Sequence, residues 1–270
     1  MNKPTEPTAG DNFGLNPGPE NNLNSRISEQ RRRIQFRAGR DTPIATYSLM
    51  GITILVFLLQ QASILLLNGT DLPAVFGMKV NDLILGGQLW RLFTPMFLHG
   101  SILHLGFNMY ALYIFGPGLE RAYGHGRYLA LYFLAGFAGN VFSFLFTDSP
   151  SLGSSTAIFG LLGAEGVFLY QNRRIYGTFG QRALINLVVI AVINLIIGLS
   201  PGIDNWGHVG GLLGGVLFAW YAGPVLRVEG IPPYHMLVDE RPKREVWRAG
   251  VSIWLLFGLL AVTTMFLNIR

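Results

Sequence analysis

Residues 206–223 read Trp206-Gly-His208-Val-Gly-Gly211-Leu-Leu-Gly-Gly215-Val-Leu-Phe-Ala-Trp220-Tyr-Ala-Gly223, an apolar run with no acidic or basic residue and one imidazole near its start. Its length is close to the ~20 residues that cross the hydrocarbon core of a bilayer as a helix. Inside lipid the backbone polar groups must be satisfied within the segment, and a single apolar run does so by coiling into a helix. Six more runs of this kind occupy about 46–67, 101–117, 127–147, 155–170, 183–200 and 249–268, the one at 155–170 being short. The expectation is an all-α polytopic membrane protein with seven spans.

Composition agrees. Of 270 residues 50% are hydrophobic and only 13% charged, against roughly 25% charged in an ordinary soluble domain, which argues against a water-soluble globule. The chain has no cysteine, so disulfides, zinc-thiolate sites and thiol nucleophiles are excluded. A covalent nucleophile has to be an oxygen or an amine.

Residues 1–42 are rich in Asn, Pro, Gly and charge and end in Arg31, Arg32, Arg33, Arg37 and Arg40; they read as a disordered tail. A cleaved signal needs an apolar stretch near the start, and a transit peptide is poor in acids, whereas this tail carries Glu6, Asp11, Glu20, Glu29 and Asp41. The tail, the 118–126 loop with its flanks, the 171–182 loop and the 224–248 linker hold 17 of the 20 Lys and Arg; only Lys79, Arg91 and Arg270 fall on the other side. By the positive-inside rule the N-terminus is cytoplasmic and the C-terminus outside, and the net charge of +5 is explained by topology, not by nucleic acid. Trp206, Trp220, Tyr221 and Trp247 sit near span ends, as interfacial aromatics do. The non-cytoplasmic connection 68–100 has apolar stretches at 72–76, 83–85 and 92–98, too short to span and expected to lie in the interface.

Polar groups inside spans are costly and mark functional candidates. His104 and Asn108, four apart, share one helix face. Two donors aimed into one cavity suit a developing oxyanion; an interhelical polar clasp is the other reading. Ser155 opens the short fourth run in Gly153-Ser154-Ser155-Thr156, and small residues in spans are commonly packing contacts. His208 stands beside Gly211 and Gly215, which let a neighbouring helix approach and bring a serine to the imidazole. Hydroxyl, base and oxyanion donors thus form one set, and with Asp204 the only carboxylate near His208, a Ser-His dyad is favoured over a triad. Phe159, one turn after Ser155, either supports the imidazole by stacking or packs in the core. Glu165 is about 15 Å along the axis from Ser155 at 1.5 Å per residue, too far to be the dyad's acid; it reads as a structural hydrogen-bond partner in preference to a protonated acid lining the bundle.

Trp90-Arg91 in the first connection, His104-x-x-x-Asn108 in the second span, Gly153-x-Ser155 opening the fourth and His208-x-x-Gly211-x-x-x-Gly215 in the sixth resemble, in order and in span, the motifs of the rhomboid intramembrane proteases. The resemblance implies a six-helix core, residues 43–223, with a water-filled cavity open to the non-cytoplasmic side; the linker 224–248 then leads to a seventh helix, 249–270, giving a six-plus-one arrangement. It implies a catalytic Ser155–His208 dyad, an oxyanion hole of His104, Asn108 and the Ser155 backbone N–H, and a structuring role for Trp90 and Arg91 in the first connection. It also implies single-span transmembrane proteins as substrates. The family's serine motif typically reads Gly-x-Ser-Gly, whereas Thr156 follows Ser155 here.

No cofactor and no metal are expected, since neither His99 nor His104 sits in a His-Glu-x-x-His motif. The expected host is a prokaryotic plasma membrane, from the compact chain without a presequence. A catalytically inactive rhomboid-like binding or trafficking factor would have to lack the serine or the histidine. A transporter would be expected to show Gly/Pro-interrupted spans in corresponding halves, which are not apparent.

Overall fold

A computed structural model describes residues 42–230 and 235–268; the tail expectation lies outside them except for Thr42. Nine α-helices occur among the described residues: α1 Ile44–Leu66, α2 Leu72–Gly77, α3 Asn81–Leu85, α4 Ile102–Tyr123, α5 His125–Phe146, α6 Ser155–Gln171, α7 Arg173–Ile197, α8 Asn205–Ala222 and α9 Lys243–Asn268. Two short strands, β1 Leu226–Glu229 and β2 Met236–Asp239, pair as a hairpin. The tip of that hairpin, 228–237, belongs to a separate unit, and everything below concerns the helical unit that holds 38–227 and 238–270.

Each of the seven apolar runs coincides over most of its length with a helix, the run 183–200 outlasting its helix by three residues, and four helices, α1, α5, α7 and α9, are long and apolar enough to cross a membrane. Together they make this a helical membrane protein. Helix bounds differ from the apolar runs where polar residues continue a helix. Pro117 closes the second run, yet α4 carries on through it to Tyr123, and Gly124, at φ 76°, is the only residue between α4 and α5. The expected 171–182 loop is mostly the start of α7, kinked at Gly177 with φ 53°. Likewise α9 begins at Lys243, six residues before its apolar run. The connection 68–100 is built of α2, α3 and two 3-10 turns, Leu89–Leu92 and Thr94–Phe97.

The helices differ sharply in burial: in the most apolar window of α5 61% of residues are buried, against 11% in α7. The centre is therefore α5 with α6 and α8, while α1, α7 and α9 leave rows of large apolar side chains outward, such as Leu55, Ile193 and Leu259. What lets the three central helices meet is glycine. A Cβ on Gly211 would strike the Thr156 carbonyl, and one on Gly215 would lie 2.5 Å from the Gly160 Cα, so α6 and α8 touch backbone to backbone. The alternate pair, Gly210 and Gly214, faces α5, where added Cβ atoms would come 2.8 Å from the Ala138 carbonyl oxygen and 2.6 Å from the Ala138 Cβ. The double-glycine spacing of α8 thus serves two neighbours on two faces.

Candidate active site

Ser155 is the first residue of α6, so its own N–H has no partner within the helix. The preceding Gly153 has φ +136°, a conformation favouring glycine, and a Cβ there would lie 2.8 Å from the His104 ring and 3.6 Å from the Ser155 Oγ. Glycine is required twice over, by the turn and by the close approach of His104. The chain reaches this turn through the 147–154 connection, pinned by the Gly153 N–H donating to the Pro95 carbonyl at 2.9 Å.

His208 stands at the head of α8, whose first turn is capped by Asp204: the Gly207 N–H donates to its Oδ1 at 3.0 Å. Backbone contact between α6 and α8 then leaves the His208 Nε2 2.9 Å from the Ser155 Oγ. The imidazole lies flat on Phe159, ring centroids 4.3 Å apart and planes 12° from parallel. Its other nitrogen, Nδ1, is buried without a hydrogen-bond partner among the described residues. Asp204, the one carboxylate considered for it, bonds to Gly207 and Thr147 instead. The geometry is a serine–histidine pair held by stacking, with no carboxylate on the imidazole.

His104 lies beside Gly153 and meets His99 edge-on at 5.0 Å. Asn108 is one turn further along α4, buried, its Nδ2 unpaired among the described residues. A buried donor without a partner is costly unless something arrives to accept from it. Trp90 and Arg91 lie in the 68–100 connection: the Trp90 indole donates to the Phe76 carbonyl at 3.0 Å, and the buried Arg91 donates to the Val75 and Met78 carbonyls at 2.7 Å each and to Gln88 at 2.8 Å. They tie the short α2 to the turn after α3 and do not touch Ser155 or His208.

Thr156, where the resemblance expects glycine, is accommodated by glycines opposite it. Cβ atoms on Gly139 and Gly207 would come within 2.7 and 3.1 Å of the threonine side chain. His99, which carries no site motif in the sequence, is fully buried with its Nε2 3.4 Å from the Ser154 Oγ and its backbone N–H donating to Gln60 at 3.0 Å. The Lys79 side chain reaches the same connection, although its place in the sequence marks it only as one of the few basic residues of its side. In sequence His99 showed nothing beyond the absence of a zinc motif.

Residues 86–225 match the family model of the Rhomboid domain. The chain is 42% identical over 200 residues to Rhomboid protease GluP of Bacillus subtilis, covering 71% of this chain and 37% of that protein. It is 38% identical over 159 residues to RHOMBOID-like protein 9, chloroplastic, of Arabidopsis thaliana, covering 58% of this chain and 37% of the relative. It is 34% identical over 218 residues to RHOMBOID-like protein 5 of the same plant, where the match covers 75% of this chain and 70% of the relative. The chain thus spans little more than a third of the length of the first two.

Proposed function

The chain belongs to the rhomboid family, and from that membership we propose that it is an intramembrane serine endopeptidase that cleaves single-span transmembrane proteins with Ser155 as nucleophile and His208 as general base. The observation that carries the reading is the 2.9 Å contact between the Ser155 Oγ and the His208 Nε2. As the Oγ attacks the scissile carbonyl, its proton passes to Nε2; the imidazolium then gives that proton to the departing amine, leaving an acyl ester on Ser155. Water then enters and gives a proton to the same nitrogen as its oxygen attacks the acyl carbon, and the imidazolium returns that proton to the departing Ser155 Oγ, releasing the acid and restoring the pair. Phe159 replaces the usual carboxylate as the group that orients the ring. His104, Asn108 and the Ser155 N–H donate to the oxygen on which negative charge develops. Trp90 and Arg91 hold the first connection in shape.

In this reading the core is residues 43–223 with six spans, α9 is the seventh, the N-terminus is cytoplasmic, the C-terminus is outside, and the cavity opens to the non-cytoplasmic side. The host membrane in this reading is a prokaryotic plasma membrane. The test is incubation of the purified protein in lipid nanodiscs with a panel of tagged single-span proteins. Cleavage of at least one by the wild type is expected, with Ser155→Ala and His208→Ala each inactive though folded, and the double variant scarcely worse than either. Cleavage surviving Ser155→Ala would refute the assignment of the nucleophile, and an uncleaved panel would favour the inactive rhomboid-like binding factor.

A further inference from the structure

Lys79 and Arg91 are two of three basic residues on the side the charge pattern otherwise leaves without positive charge. Arg91 is accounted for by the carbonyls of its own connection. Lys79 is completely buried, which for a lysine is rare unless its ammonium is paired. Its Nζ donates to the carbonyls of Thr147 and of Ser149, the latter at 3.1 Å. Thr147 is the cap that follows the last residue of α5, so the cation sits where the helix presents unpaired carbonyls and partial negative charge. Asn81 donates to the same Thr147 carbonyl at 3.2 Å.

The backbone continues the attachment. Lys79 and Ser151 exchange N–H to carbonyl bonds of 2.9 and 3.1 Å as an antiparallel bridge, four residues before Ser155. On the other side the Thr147 hydroxyl donates to the Asp204 Oδ1 at 3.4 Å, and Asp204 is the cap of the helix that carries His208. Asp204 and Asp148 are the charged groups that face the ammonium. One cation therefore joins the end of α5, the connection that delivers Ser155, and, through Thr147, the cap above His208.

We infer that Lys79 is a positioning residue for the Ser155–His208 pair, fixing the 147–154 connection against the cap of α8 so that hydroxyl and imidazole meet in register. The inference rests on the reading of Ser155 as nucleophile. Burial holds the ammonium down at about 8, with Asp204 and Asp148 opposing that shift, so the clasp is charged at neutral pH and weakens as pH rises through that value. A lysine that merely satisfied carbonyls at a helix end would affect stability and leave turnover per folded molecule alone.

The experiment measures kcat and KM for a cleaved single-span substrate in nanodiscs between pH 6 and 10, normalised to folded protein, for wild type, Lys79→Met, Lys79→Arg and Ser155→Ala. Lys79→Met keeps the apolar length of the side chain without its charge. Its kcat should drop about tenfold at pH 7 with KM nearly unchanged, the size expected of a small misplacement of reacting groups. Wild-type kcat should decline above pH about 8, a limb absent from Lys79→Met. Lys79→Arg should restore turnover at pH 7 and stay flat across the alkaline range, and this comparison with wild type decides the matter if Lys79→Met does not fold. Wild-type turnover in Lys79→Met, or the same alkaline limb in wild type and Lys79→Arg, would overturn the inference. Cleavage retained by Ser155→Ala would instead overturn the nucleophile reading on which it stands.

Discussion

Ser155 and His208 are joined by one hydrogen bond across 53 positions of sequence, and the imidazole has no acid behind it. As the proposed base, His208 has no orienting carboxylate and depends on packing to hold its ring, which lies stacked on Phe159. The donors for the developing charge are a separate matter. Asn108 is buried with its Nδ2 unpaired among the described residues, and in the proposed mechanism it gives that hydrogen bond to the oxygen that becomes negative in the transition state. Removing one such donor typically costs about 100- to 1000-fold; Asn108→Ala should cost ~10–100-fold, because His104 and the Ser155 N–H share the charge. The loss belongs in kcat with KM little changed, since the ground-state carbonyl engages these donors weakly. Weaker substrate binding or a melted fold at unchanged turnover would identify Asn108 as part of an interhelical clasp. In sequence, Ser155, His208, His104 and Asn108 stood out as polar groups in apolar surroundings. Lys79 did not, because a lysine in a connection reads as solvated, and only the folded chain shows it enclosed among carbonyls.

Helix contacts determine whether those side chains meet. The glycines of α8 allow backbone contact with α6 at Thr156 and Gly160 and with α5 at Ala138. Gly215→Ala places a methyl against the Gly160 backbone, which cannot rotate away as a side chain would. Overpacking of this kind costs about 1–3 kcal/mol, and a shift of α8 moves His208 relative to Ser155. Gly215→Ala should therefore lower thermal stability and reduce turnover per folded molecule. Gly258→Ala in α9, where a Cβ meets nothing within 4 Å, should be neutral to slightly stabilising. Equal behaviour of the two variants in thermal unfolding and cleavage assays would contradict the packing account. The Gly211 and Gly215 spacing was legible in sequence as a surface for close approach; that Gly210 and Gly214 serve a second neighbour was not, because periodicity does not say how many helices a face meets. Helix ends were legible where apolarity and helicity coincide. They diverge at Pro117, where Glu120, Arg121 and Tyr123 continue α4 without adding to an apolar run, and at Lys243, where polar turns open α9.

At the scale of the whole molecule, apolar composition, four helices suited to crossing a membrane and the match of residues 86–225 to the Rhomboid domain converge on a membrane protein of the rhomboid family. The class was readable from apolar run lengths, and the family from four short motifs in order along the chain. Membership alone does not make an enzyme, so the central claim is that Ser155 is an activated hydroxyl. A thiol cannot stand in for it, because the chain has no cysteine. Neighbouring Ser154 sits instead against His99, with an oxygen-to-nitrogen distance of 3.4 Å. The direct measurement is covalent labelling of the folded protein in nanodiscs with a serine-directed fluorophosphonate, followed by mass spectrometry of the labelled peptide, in wild type and in His208→Ala. The account predicts label on Ser155 in the wild type and its near absence in His208→Ala; label on Ser154 or any other residue, or undiminished labelling of Ser155 without His208, would contradict it.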